Sequence, residues 1–327
     1  MPGSKKAKKV LSITLRISIS IALLIFLFTK VESKEILDII KTANFWLLTV
    51  AFLVFFLAYI ISLYRWEMLL RVLHAHISIK RIIISFSGGL FFNLFLPSTI
   101  GGDLVRTFDL AYHTRKPKEI IATVILDRLS GYAGMVCVAM AALLFGYRLI
   151  HDKVVILVIG AVAVLLLIIL LVVFNNFFFA RISRLLHSPA GNRLRLALKD
   201  THQEMYYFRR HKDVLFFNLI YSIALQMLTP LSFYFIALAL GIKTQMIYFF
   251  IFIPVIGVIA SLPISIAGLG LRDVSMIYFF AGIGWPKDLA FATSLVSFFF
   301  VIVIGAVGGL VYVFTLHNRR LQYHQAV

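Results

Sequence analysis

A single cysteine, Cys137, stands among 327 residues, and acidic residues are few: 14 Asp and Glu against 32 Lys and Arg. One cysteine inside an apolar run excludes a disulfide framework and a thiolate metal site. The nine histidines are scattered, without the His-Glu-x-x-His spacing that would hold a metal. There is no Gly-x-x-x-x-Gly-Lys-Ser/Thr loop, which excludes hydrolysis of ATP in the P-loop manner, and no Gly-x-Ser-x-Gly elbow. No metal, no cofactor and no catalytic residue is therefore expected. Charge of either sign is scarce as well. Charged residues make up 14% of the chain and apolar residues 61%, with a mean hydropathy of +0.97. Soluble domains run nearer half apolar and a quarter charged. The chain is an integral membrane protein. Its net charge of +18 would suit nucleic acid, but the basic residues sit between hydrophobic spans, where topology explains them. Anionic head groups at the cytoplasmic surface are the expected partners, and nucleic acid is not.

What is present is a succession of apolar runs. A basic start, residues 1–9, leads into an uncleaved first span at about 10–29, interrupted only by Arg16. Next come spans at about 45–64, 120–147, 154–180, 214–241 and 289–316, the second leaving through Tyr64-Arg65-Trp66 as an interfacial aromatic anchor. Two further runs, 82–96 and 246–262, are short. The first has 15 residues and reaches roughly 22 Å at about 1.5 Å per residue, against a hydrocarbon core of about 30 Å. Between 181 and 213 lies the longest hydrophilic stretch, with eight Lys or Arg, expected to form one or two amphipathic surface helices. A short tail, 317–327, ends the chain.

Both short runs stop at related sequences. Leu96-Pro97-Ser98-Thr99-Ile100-Gly101-Gly102-Asp103-Leu104-Val105-Arg106 and Leu262-Pro263-Ile264-Ser265-Ile266-Ala267-Gly268-Leu269-Gly270-Leu271-Arg272 agree at five of eleven positions, and Asp273 follows the second. Pro97, Gly101 and Gly102 in one, and Pro263, Gly268 and Gly270 in the other, break helix. Broken helix in lipid is tolerated only where the freed backbone lines a cavity or is buried in protein.

Charge decides between two topologies. If every run crosses, the 181–213 loop lies outside, against the positive-inside rule. If the two short runs instead enter and return by one face, 23 of the 32 Lys and Arg fall on the cytoplasmic side. The expected fold is then all-α and polytopic: six full spans plus two re-entrant broken hairpins in a single membrane domain, 10–316. Both termini lie in the cytoplasm, and 181–213 is a cytoplasmic linker. The halves, about 10–147 and 154–316, read as repeats of opposite orientation, the layout of secondary transporters.

The ionisable residues near the breaks are the binding candidates. Asp103 and Arg106 share a helix face if a helix starts at the glycines, whose amides would be free to face an anion. Arg106 and Arg272 offer forked donors for phosphate or carboxylate. Asp127 and Arg128 lie inside a span, where ionisable groups are costly. Asp127 is expected to answer Arg106 or Arg272, and Arg128 to answer Asp103 or a substrate phosphate. The bland alternative is that Asp103, Arg106, Arg272 and Asp273 pair among themselves and hold the hairpin ends. Asn93, Gln226 and Thr229-Pro230 read as packing features.

Arg65-Trp66, the 96–106 run, Asp127-Arg128 and the 263–273 run, in that order, resemble the lysylphosphatidylglycerol synthase transmembrane, or flippase-like, family. The likeness extends over about 10–316, with Asp273 where the family commonly has Glu. Full-length synthases add a soluble aminoacyl-transferase domain to this unit. The resemblance therefore implies the lipid-flipping half without lysyl transfer. The expected function is a lipid translocase of the cytoplasmic membrane. It would carry a charged, phosphate-bearing head group without ATP hydrolysis and would not itself be an enzyme. Candidate lipids are anionic phospholipids, aminoacyl-phospholipids and polyprenyl-phosphate-linked lipids. The alternatives are a non-transporting partner of a separate glycosyl- or aminoacyl-transferase, or a lipid-modifying enzyme. A homo-oligomer is compatible with either.

Overall fold

The computed structural model describes residues 38–72, 77–96, 101–149, 153–185, 192–262, 265 and 268–325. The expected first span at 10–29, the basic start and the two motif prolines, Pro97 and Pro263, lie outside these residues. The described residues are helical and contain no strand. In order they form α1 (Phe45–Val72), α2 (Ile79–Asn93), α3 (Gly101–Thr114), α4 (Pro117–Gly146), α5 (Lys153–Phe174), α6 (Asn176–Leu185) and α7 (Asn192–Tyr207). A 3-10 turn, Phe208–Arg210, follows, then α8 (Lys212–Ala239), α9 (Ile247–Ser261), α10 (Leu271–Ala281) and α11 (Lys287–Gln325).

Among the described residues, α1, α4, α5, α8 and α11 are long and apolar enough to cross a membrane. The shortest, α5, has 22 residues, and at about 1.5 Å per residue it reaches roughly 33 Å, enough for a core of about 30 Å. Leu144, Phe145 and Leu157 point outward, a surface that lipid accepts and water does not. The all-helical, multi-pass class read from the sequence is the one observed.

Two span boundaries differ from the sequence reading. Helix α1 does not end at Tyr64-Arg65-Trp66. It runs on to Val72, and while Tyr64 is exposed, Arg65 and Trp66 are buried. Arg65 is accepted in the interior because neighbouring helices supply its partners, as described below. The run 154–180 is not one helix either. Asn175 interrupts it by accepting the N–H of Phe177 on its Oδ1 at 2.9 Å, so that it caps the new helix α6.

The chain divides into two compact units. One contains residues 1–56, 84–106 and 229–327; the other contains 57–83 and 107–228. In the first, the core is aromatic. Phe249 meets Phe280 at 5.0 Å and Phe280 meets Trp285 at 4.4 Å between ring centroids. The start of α1 is tied to the end of α8, where Ser232 donates to the Ala51 carbonyl at 2.8 Å. Glycines on α11 allow α2 to approach closely along its length: a side-chain carbon at Gly308 would lie 2.8 Å from the Ser87 carbonyl oxygen. Small residues permit such approach in lipid, where helices associate by packing rather than by expulsion of water.

In the second unit α4 packs on α5 and α7, and α5 on α6 and α7. Gly134 of α4 lies against the backbone of α8, where a side-chain carbon would meet the Ser222 carbonyl oxygen at 2.8 Å. Helix α7 and the 3-10 turn after it are seated through His202, Met205 and Phe208, all buried. The His202 ring stacks on Phe179 of α6 at 3.8 Å. Burial pushes the His202 imidazole below its usual range, opposed by a hydrogen bond with the Val172 backbone. The unfolded chain therefore takes up this proton before the folded one. The seat is secure above the ordinary histidine value of about 6.5 and weakens as pH falls through it. Protection of the amides of α6 and α7, taken as exchange relative to the intrinsic rate at each pH, is expected to fall as pH drops through about 6.5, and the His202→Phe variant, which keeps the stack and cannot titrate, is expected to flatten that profile.

Candidate functional site

The first motif closes a helical hairpin. Gly102, at the start of α3, packs directly on Gly89 of α2: a side-chain carbon at 102 would sit 2.1 Å from the Gly89 carbonyl oxygen. The chain has therefore turned back on itself between the two. Asn93 secures the turn, its Oδ1 accepting the N–H of Gly102 at 2.8 Å. The sequence reading leaves that amide free for an anion. In the structure the preceding helix end uses it, because a helix start buried in protein must satisfy its donors locally. One turn further, Arg106 reaches Asp103 at 3.1 Å, and its guanidinium lies over the Phe86 ring at 5.6 Å. Arg106 and Asp103 are both buried.

The second motif closes a hairpin of the same kind. Phe252 of α9 stacks on Phe279 of α10 at 5.5 Å, and Gly268 packs on Ala260. Gly268 and Gly270 have φ of 75° and 81°, a region that side chains with a Cβ rarely enter. The Gly270 N–H donates to Asp273 Oδ2 at 2.9 Å, so Asp273 caps its own helix as the third residue of the first turn. Its other oxygen accepts from Arg272 Nη2 at 2.8 Å and from the Ser294 hydroxyl of α11. Arg272 Nε in turn donates to Ser294 Oγ at 2.8 Å, and the guanidinium lies over Phe298 at 5.0 Å. Each tip thus carries an arginine held against a neighbouring carboxylate. In each, the bland pairing read from the sequence is present.

Asp127 belongs to a different cluster, in the other unit. The sequence reading sets it against Arg106 or Arg272; its observed partner is Arg65, whose Nε donates to Asp127 Oδ1 at 2.8 Å. Arg65 Nη1 donates to Ser222 Oγ at 2.9 Å, Ser222 donates to the Asn218 carbonyl, and Asn218 Nδ2 returns to the Arg65 carbonyl at 3.1 Å. Gly131 leaves room for the guanidinium, which lies 3.3 Å from where a Cβ would be. Trp66 Nε1 donates to Thr123 Oγ1 at 3.3 Å. Three helices, α1, α4 and α8, are thereby joined around one buried charge pair. Arg128, next along α4, is half-buried. Gln226 adds a bond from Nε2 to the Gly131 carbonyl at 3.3 Å.

The sequence reading leaves Arg65, Ser222, Asn218 and Ser294 out of the candidate set. Arg65 has a signal, a charge within an apolar helix that carries on past it. The hydroxyls have none, because a serine in a membrane helix is common and only the fold shows what it faces. Another pair unforeseen from spacing joins Arg81 of α2 to Asp109 of α3, with Arg81 Nη2 donating to the carboxylate. Among the described residues no three His, Cys, Asp or Glu converge where a metal could sit.

Long apolar helices, two short hairpins broken at Pro-Gly sequences and arginine–carboxylate pairs buried at the breaks define a multi-pass helical membrane protein with charge inside its apolar body. The family model for the lysylphosphatidylglycerol synthase TM region matches residues 13–309. The chain belongs to that family. No curated protein matches it.

Proposed function

We propose that the protein is a lipid translocase. It would move a charged, phosphate-bearing head group across the cytoplasmic membrane, with Arg106 and Arg272 as head-group contacts and Asp103 and Asp273 as their resting partners. One observation carries this reading: both hairpins stop short at a buried arginine–carboxylate pair, and both tips belong to one compact unit. Interrupted apolar segments at corresponding places in two halves point to a transporter's binding site, and ionisable groups at membrane depth point to function. In this reading each hairpin enters and leaves by the same face, six helices cross, and the halves are inverted repeats with both termini in the cytoplasm. A head group that costs several kcal/mol or more to carry through bare hydrocarbon exchanges water for guanidinium donors, while its tails remain in lipid. Asp127 and Arg128 complete the candidate set from the other cluster, where Arg65 holds Asp127.

No nucleotide takes part in this scheme and the chain makes no covalent product. Direction follows from concentration or from the membrane potential, worth about 2.3 kcal/mol per charge per 100 mV. The test is the purified chain in vesicles containing head-group-labelled anionic, aminoacyl or polyprenyl-phosphate lipids. Crossing should exceed that in empty vesicles for at least one head group. Arg106→Gln should lower that rate at least tenfold per folded molecule, the rate being normalised to the folded fraction because the change also strands the buried Asp103 carboxylate. Crossing equal to empty vesicles for every lipid would sink the proposal. Unaltered crossing in both Arg106→Gln and Arg272→Gln would remove the tips from it.

A further inference from the structure

The segment between α5 and α8 carries chemistry that head-group passage does not use. Residues 181–213 contain eight Lys or Arg against Asp200, Glu204 and Asp213. Both ends of the segment adjoin helices long and apolar enough to cross a membrane, because α5 ends at Phe174 and α8 begins at Lys212. The segment has two sides. His202, Met205 and Phe208 are buried, whereas Lys199, Gln203, Tyr207 and Arg210 are exposed at spacings of four, four and three, which is one helical stripe. On α6 the exposed Phe177 stands four residues before the exposed Arg181, while Phe179 turns in to stack on His202. Arg209 is exposed too, braced by a hydrogen bond to the Tyr206 hydroxyl at 3.0 Å and by that ring at 5.6 Å.

We infer that residues 176–181 and 199–212 form a platform for anionic lipid head groups of the leaflet they border. The exposed Arg181, Lys199, Arg209, Arg210 and Lys212 contact phosphate, and the exposed aromatic rings lie at the head-group level. Interfacial helices combine these features, a basic polar face with apolar or aromatic side chains beside it. Each Lys or Arg close to an anionic surface strengthens binding roughly fivefold, and salt screens the effect. Acidic residues are too few to cancel the excess. An acidic protein would satisfy the charges but gives no reason for exposed Phe177 and Phe178 beside the end of a span. The inference needs residence in a bilayer and does not depend on translocation.

The test uses the full chain in nanodiscs of phosphatidylcholine alone or with about 30% phosphatidylglycerol, a fraction that gives a strongly negative surface. An environment-sensitive fluorophore is placed at Gln203→Cys in a Cys137→Ser background. Its emission should shift to the blue in the anionic discs and return at about 0.5 M salt, where screening reaches a few ångström. Replacing Lys199, Arg209 and Arg210 together by Gln should abolish the difference. Amide exchange of 176–212 in the unlabelled wild-type chain provides a second reading, with slower exchange expected in anionic discs. Equal emission and equal exchange in the two lipids would overturn the inference. So would a blue shift in neutral discs on adding a polyglutamate peptide with no response to phosphatidylglycerol, which would assign the face to an acidic protein.

Discussion

Asp127→Ala is expected to destabilise the protein by about 3–5 kcal/mol, the cost of leaving a buried charge without its counterpart. The charge stranded is Arg65, buried among α1, α4 and α8, whose Nε loses its acceptor while Nη1 keeps Ser222. Arg65→Ala should cost a similar amount by stranding the carboxylate. Arg65→Lys should recover only part, because a lysine cannot donate to Asp127 and Ser222 at once in the fixed geometry of a guanidinium. The most informative comparison is with the double variant Arg65→Met, Asp127→Leu. Buried ion pairs replaced together by apolar residues are often neutral or stabilising, so most of the loss should return. Equilibrium unfolding in lipid–detergent micelles measures all four. Recovery of stability with no recovery of lipid crossing would separate a functional charge pair from a merely structural one. Single-variant losses below about 1 kcal/mol would show the pair to be solvated, contrary to its burial.

Gly102→Ala should part α2 from α3. The added carbon would lie 2.1 Å from the Gly89 carbonyl oxygen and 2.6 Å from Asn93 Cγ. The first of these is backbone and cannot swing aside. Overpacking costs typically 1–3 kcal/mol, and here the loss includes the bond from the Gly102 N–H to Asn93, about 1 kcal/mol more. The same substitution at Gly160, on α5, meets nothing within 4 Å. There it should be neutral or gain up to about 1 kcal/mol, since alanine favours helix more than glycine does. One chemical change with opposite signs at two sites is a sharp contrast, readable as melting temperatures of the two variants. Crossing of labelled lipid should fall with Gly102→Ala and stay at the wild-type rate with Gly160→Ala. Equal melting temperatures would mean that the hairpin is not packed backbone to backbone.

Much of the candidate site was legible because membrane burial makes polar residues conspicuous. Arg106, Arg272, Asp103, Asp127 and Asp273 stand out against apolar neighbours in the sequence, and in the structure four of the five are buried, with Arg272 nearly so. Their partners were harder to read. Spacing along a helix correctly joined Asp103 to Arg106, three residues apart. It could not join Arg65 to Asp127, 62 residues apart, since nothing in a one-dimensional pattern says which helices touch. Arg65-Trp66 misled for a related reason. An arginine and a tryptophan at the end of an apolar run have the composition of an interface anchor, and only helix packing shows that their donors meet Asp127, Ser222 and Thr123 rather than water.

Hydropathy and helix-breaking residues by themselves determined that the chain is a helical membrane protein, roughly where the five long helices among the described residues lie, and that two short ones stop near Pro-Gly sequences. Those properties follow from local chemistry: backbone that cannot be hydrated must bond within its own helix, and glycine and proline end such bonding. Tertiary structure decided which carboxylate neutralises which arginine, that Asn93 and Asp273 take up the amides freed at the two breaks, and that residues 84–106 gather with 229–327 into one unit. Ion pairing and close glycine contact fall off within a few ångström, so they depend on how helices meet, and chain order does not specify that.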